Sequence, residues 1–301
     1  MAEPYDGRGA RSPRWWPSRY GVGDEIGAAN ELTPERTLAA LALPRSGEII
    51  ELAQVLTRGT PTWPPRDFHQ LIVAHQALLP MGAGATDATA FEEQASFGFH
   101  VGCHLDGLGH VGIGGRFYNG LEAADFYAPD GLRRYGIESV PPWLCRGVCL
   151  DVAAVEGVEE LELGFVITPE HLEAACRRQE VEVRAGDVVL VNTGWGRHWD
   201  EASRYVQGEP GVGLAGCRWL TDRRVSAVGA DNAAFEPIPA EDPELILACH
   251  QHLLAETGTF IVENIRLDRL VASGRSEFLF SMAPLRVRGA TASPIAPLAV
   301  I

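Results

Sequence analysis

The chain has 301 residues, 46% of them apolar and 22% charged, a globular composition that excludes disordered, collagen-like and coiled-coil classes. At this length it buries a sizeable core without disulfides or metals. Its 40 acidic against 25 basic residues give a net charge of −15, which would repel a nucleic-acid backbone or an anionic membrane.

Residues 1–32 are rich in Gly, Pro, Arg and aromatics and read as an irregular arm, ahead of one domain spanning 33–301. The arm has no apolar core of the kind a secretory signal needs. No apolar run approaches the roughly 18 residues of a membrane helix. Thr33-Pro34-Glu35 opens a helix to about Leu43, with an N-cap residue followed by Pro. Glu48–Leu56 and Phe68–His75 alternate as strands. Further on, Val148–Val152 and Val188–Val191 are β-branched runs suited to buried strands. Between them Thr168-Pro169-Glu170 starts a helix through about Arg178. Cys217–Arg224 reads as helix and Val225–Val228 as strand. Pro243–Thr257 reads as one long helix, Phe260–Val262, Phe278–Ser281 and Leu285–Val287 as strands. Alternation of strands and helices only in the second half points to an α/β domain with a mixed sheet.

Several chemistries are excluded by what is missing. All 25 basic residues are Arg, so lysine Schiff bases, a lysine general base and Walker-type phosphate loops are absent. No G-x-S-x-G nucleophile elbow occurs. Gly211-Val-Gly213-Leu-Ala-Gly216 matches G-x-G-x-x-G but follows Gln207-Gly-Glu-Pro, so it reads as a loop into a helix. The six cysteines form no C-x-x-C, which fits a reduced, cytoplasmic protein.

The segment His100-Val-Gly-Cys-His104-Leu-Asp106-Gly-Leu-Gly-His110 carries the chemistry. All four ionisable groups lie at even positions, so an extended chain points them to one face. A helix would turn Asp106 away from His100 and His104. Two imidazoles and a carboxylate suit a catalytic divalent metal that keeps positions open for water. His110 is then free for proton transfer, lying too far along an extended chain to share the ion without a sharp turn. Cys103 alternates away from its flanking histidines and reads as a core thiol. Single histidines are more often structural than functional; this spacing weighs against that.

The segment resembles the H-x-G-T-H-x-D-x-x-x-H signature of the cyclase family, which includes bacterial kynurenine formamidase and isatin hydrolase. Similar segments run along most of the chain: Gly47-Glu-Ile-Ile-Glu-Leu, Gly186-Asp-Val-Val-Leu-Val-Asn-Thr-Gly-Trp195, Val228-Gly-Ala-Asp231, Val262-Glu263-Asn264 and Ala292-Ser-Pro-Ile-Ala-Pro. Tyr20-Gly-x-x-Asp24-Glu25 and Tyr118-Asn-Gly resemble a longer branch. The resemblance implies a swivelling β/β/α fold, with Mn or Zn held by His100, His104 and Asp106 and a catalytic His110. In two-metal members a further His and Glu would correspond to His250 and Glu263. Two departures stand out: Cys103 replaces the usual Thr, and Gly107-Leu-Gly replaces the Ala-Pro of kynurenine formamidases.

The helical pattern separates His250 from His252. His250 shares a stripe with Ile246, Leu247, Leu253 and Leu254 and so faces inward, whereas His252 sits on a mixed face. Trp63, Phe68 and Tyr118 are candidates to line a pocket for a flat, ring-containing substrate. Asp231 and Glu236 receive no chemistry at this level. The expected protein is therefore a homo-oligomeric, metal-dependent hydrolase opening a cyclic or aryl amide or a lactone through metal-activated water. A metal-dependent cyclase or lyase, working by proton abstraction beside a carbonyl, is the alternative. A non-catalytic, metal-stabilised binding protein is the other.

Overall fold

The computed structural model describes residues 15–73, 85 and 91–301. Its chain is built around one large curled sheet, nine-stranded among the described residues, in the order β1-β13-β11-β5-β7-β9-β10-β4-β12. The strands are β1 Ile49–Glu51, β4 His104–Asp106, β5 Trp143–Asp151, β7 Val188–Asn192, β9 Ala227–Ala230, β10 Phe260–Glu263, β11 Glu277–Met282, β12 Ala292–Pro294 and β13 Leu298–Val300. Two small sheets pair β2 Phe68–Val73 with β3 Glu92–Phe97 and β6 Val166–Ile167 with β8 Gly211–Val212.

β5, β7, β9 and β10 run parallel, with helices in the crossovers. Central β7 is Val-Val-Leu-Val-Asn and buried throughout, as expected for a parallel strand covered on both faces. Antiparallel strands flank this centre on both sides. The result is the mixed-sheet α/β domain that the second half of the sequence announces. Its main hydrophobic core follows the sheet from Ile50 to Ile301.

Local chemistry sets the helix starts. Thr33 accepts the Arg36 N–H ahead of helix Pro34–Leu41. Thr168 and His171 cap each other reciprocally at the start of Pro169–Gln179, a capping-box arrangement with His in the usual Glu/Gln place. Both agree with the sequence expectation within two residues.

Four expectations need correction. The strand expected over Glu48–Leu56 is regular only at Ile49–Glu51, and then makes a single bridge between Ala53 and Ile265. Leu285–Val287 is not a strand; pairing resumes in β12 and β13. Gly211–Val212 is itself a short strand leading into helix Leu214–Asp222. Lastly, the helix expected from Pro243 starts only at Ala248, because Leu247 takes a left-handed conformation, φ 58°. It then continues as a π-helix over Gln251–Thr257. Of the expected strand Phe68–His75, Phe68–Val73 is present and His75 lies outside the described residues.

The described part of the arm is irregular apart from a 3₁₀ turn at Gly27–Glu31. It is tied down by charge. Glu31 is buried and pairs with Arg36 and Arg224, while Tyr20 donates to it at 2.8 Å.

Candidate metal centre

The signature segment is mostly turns, not the continuous strand that the even spacing predicts. Only His104–Asp106 is extended; residues 99–103 and 108–110 bend. Glycines make the bends. Gly102 has φ 67°, and a Cβ there would meet Leu56 Cδ2 at 2.2 Å. A Cβ on Gly107 would meet the Thr291 carbonyl at 2.9 Å, where Gly107 N–H donates. The turn set aside at the sequence level is also present, since the His110 N–H donates to the Gly107 carbonyl at 3.0 Å.

Strand pairing supplies the rest. β4 runs antiparallel to β10 with His104 directly opposite Glu263, and His104 and Asp106, two residues apart, share that face. Leu105 points the other way into the main core. The start of the 248–257 helix then brings His250 over the same spot.

Asp106 is the hub. His100 Nδ1 lies 2.8 Å and His104 Nε2 3.4 Å from its Oδ1; His250 Nε2 lies 3.6 Å and His110 Nε2 3.9 Å from its Oδ2. Glu263 approaches from the other side, 3.1 Å from both His104 Nε2 and His250 Nε2. One donor atom from each of His100, Asp106 and His110 falls within 4.8 Å of the other two, and the same is true of His104, Asp106 and Glu263. The structure thus brings together all six residues singled out for metal binding or catalysis.

Hydrogen bonding fits a cation. His104 Nδ1 donates to the Gly102 carbonyl at 2.8 Å, which leaves a lone pair on Nε2 when the ring is neutral. That nitrogen, His100 Nδ1 and both Asp106 oxygens are buried yet make no well-oriented hydrogen bond. Buried polar atoms are ordinarily paired. Nitrogen and carboxylate oxygen atoms that converge in this way suit a divalent metal.

Electrostatics agree. Burial alone would raise the Asp106 carboxyl, but His110 and His100 hold it well below the carboxylate range. Burial would lower His104, yet Asp106 and Glu263 lift it to about 10. His250 is likewise raised against its burial, by Asp106, Glu236 and Glu263. Two buried carboxylates side by side demand positive charge, from protons on imidazole or from a metal. His110 differs: burial pushes it down to about 4, so it is neutral at pH 7.

The other candidates have partners of their own. Cys103 is buried in the main core, and burial raises its thiol far above the ordinary range. Trp63 packs on the aromatic group Trp195, Trp199 and Tyr205, its ring N–H donating to the Val206 carbonyl at 3.0 Å. Phe68 is 5.8 Å from Phe97, which is 5.8 Å from Phe99, beside His100. Tyr118 is buried and committed to the arm, its hydroxyl donating to Asp24 at 2.7 Å. Sequence reasoning missed Glu236, whose carboxylate grips His250; residue spacing held no signal for it, because an irregular loop joins the two. It also missed Thr291, 3.1 Å from His100 Nε2.

A family model named Cyclase, described as "Putative cyclase", matches residues 50–237. That is more than half of the chain, which therefore belongs to the cyclase family. The match contains the signature and stops before His250 and Glu263. A crystal structure of a novel cyclase is 29% identical, with a TM-score of 0.84 over 94% of this chain and 98% of that one. Isatin hydrolase A from Ralstonia solanacearum is 20% identical, TM-score 0.64, over 89% and 97% of the two chains. A "predicted metal-dependent hydrolase" from Bacillus stearothermophilus is 16% identical, TM-score 0.55, over 84% and 97%. The last two share the fold. No curated protein matches the sequence. No described helix is long and apolar enough to cross a membrane.

Proposed function

We propose that this member of the cyclase family is a metal-dependent hydrolase opening a cyclic or aryl amide, such as a lactam or formamide, or a lactone. The observation that carries this reading is the set of buried nitrogen and oxygen atoms from His100, His104 and Asp106 that face one another without hydrogen-bond geometry. Fold relatives titled isatin hydrolase and metal-dependent hydrolase agree with it.

His100, His104 and Asp106 would hold a divalent ion, Mn or Zn, with Glu263 completing the donor set. When bound, such an ion polarises a carbonyl and lowers the pKa of water toward ~7. The chain's own groups then manage protons and orientation. His110 is neutral, and its side chain, 22% exposed, is the most open of the cluster. It is placed to accept a proton and to return it to a leaving nitrogen or oxygen. Both ring nitrogens of His250 already face carboxylates, so it is the reserve base. Trp63 and Phe68 would flank a flat ring, and Tyr118, buried and bonded to Asp24, would act only through the arm it holds. We place the boundary between arm and catalytic domain at residues 32 and 33. We keep a cytoplasmic homo-oligomer, a dimer or tetramer, as a separate part of the proposal.

Turnover of lactams, formamides and lactones in heavy-oxygen water tests the reaction. Hydrolysis must place one solvent oxygen in the product. Turnover without incorporation would favour proton abstraction by the same His110, that is, a cyclase or lyase.

A further inference from the structure

We propose that Glu236 is a positioning residue: it locks the His250 ring so that Nε2, and not Nδ1, faces Asp106 and Glu263. The inference rests on the metal centre proposed above and takes His250 Nε2, 3.1 Å from Glu263 and 3.6 Å from Asp106, as a further donor to it.

Glu236 is buried, and three donors converge on its carboxylate. His250 Nδ1 lies 2.5 Å from Oε1, the His250 backbone N–H donates to the same oxygen at 3.2 Å, and the Cys249 N–H donates to Oε2 at 3.3 Å. Both carboxylate oxygens already accept backbone N–H groups, so the carboxylate is the acceptor here and the ring proton between the two groups belongs to Nδ1. The opposite nitrogen, Nε2, then stands 3.1 Å from Glu263 and 3.6 Å from Asp106. One carboxylate fixes both the backbone at the helix start and the side chain leaving it. The helix begins only at Ala248, after left-handed Leu247, so these N–H groups have no intrahelical partners.

Glu236 is itself anchored. The preceding Ala233 and Ala234 N–H groups donate to the buried carboxylate of Glu209 at 2.8 and 2.7 Å. Asn232 closes the same loop by accepting the Phe235 N–H at 3.0 Å. The result is a rigid relay from Glu209 through the 232–236 loop to Glu236 and His250. Carboxylates behind metal-binding imidazoles set ring orientation and basicity, and losing one costs 10–100-fold in metal affinity.

The test uses metal-free full-length protein titrated with Co²⁺ against a chelator, followed by proton NMR of the Co²⁺ form. E236A should weaken Co²⁺ binding 10–100-fold and remove one exchangeable, hyperfine-shifted imidazole N–H. E236Q, whose amide oxygen still accepts the Nδ1 proton, should restore most of both. In a His250→Ala background E236A should change affinity less than twofold, because Glu236 acts through that ring. Should E236A be recovered unfolded, E236D carries the same comparison. Unchanged affinity and an intact N–H signal in E236A would overturn the proposal. So would equal losses in E236Q and E236A with a lowered melting temperature in the metal-free state, since that is a helix cap alone. A wild type that binds Co²⁺ but yields product without solvent oxygen would defeat the hydrolase reading and leave the Glu236 test standing.

Discussion

Two histidines, two residues apart on one helix, show what separates a structural imidazole from one in a site. His250 and His252 are both buried, and each bonds a glutamate through Nδ1: Glu236 at 2.5 Å and Glu256 at 2.7 Å. The difference lies at Nε2. In His252 that nitrogen meets one neutral hydroxyl, Thr221 Oγ1, at 2.9 Å. In His250 it meets two carboxylates that already crowd other imidazoles. Burial and a hydrogen-bond partner at each ring nitrogen are common to both; a place among converging carboxylates and imidazoles belongs to one.

The comparison breaks most sharply at Asp106, which lies within 4 Å of four imidazoles. Asp106→Ala should abolish turnover in any assay that detects the wild type. A chelator should lower the melting temperature of the wild type, because a metal bound only to the native state stabilises it. In Asp106→Ala it should shift nothing. His110→Ala should keep its metal while losing on the order of 10²–10⁴-fold in rate, the range of general acid–base catalysis. A His110→Ala protein that purifies without metal would make His110 a ligand and His250 the base.

His252→Ala sharpens the other half. It should leave metal content and rate unchanged while costing about 1–3 kcal/mol in denaturant unfolding, because Thr221 and Glu256 lose a buried partner. The smallest effect concerns Glu31, a buried acid held by arginines instead of imidazoles. Burial would raise its carboxyl, but hydrogen bonds from Arg36, Tyr20 and Arg224 outweigh it and hold the group below its ordinary range. A depressed folded value means stability that is present above the unfolded carboxylate range and lost as pH falls through the folded value. Arg36 and Arg224 are 38% and 52% exposed, so solvent screening keeps the effect small. Glu31→Gln should cost about 1 kcal/mol at neutral pH, and the gap to wild type should close in acid.

What was legible in the sequence was local. His100, His104, Asp106 and His110 lie within eleven residues, so their meeting needs only short-range geometry, even though turns and not a strand achieve it. The capped helix starts at Thr33 and Thr168 were legible for the same reason. Pairing across the sheet was not. That Glu263 lies opposite His104 depends on β10 meeting β4, about 157 positions earlier in sequence. β12 and β13 escaped notice because Ala-Ser-Pro and Leu-Ala-Val are too short to show alternation; Pro294 is tolerated because β12 lies at the edge of the sheet. The inward face of His250 was inferred from Ile246 and Leu247, which are exposed, together with Leu253 and Leu254, which are buried. Half of that stripe belongs to a turn, and carboxylates complete the burial of the ring.

The central claim is that this cluster is a metal centre, and elemental analysis of desalted protein tests it most directly. The wild type should carry at least one divalent ion per chain, Mn or Zn, and His104→Ala and Asp106→Ala should carry none while remaining folded. A wild type that takes up no divalent ion after reconstitution, or full occupancy in both variants, would contradict the account.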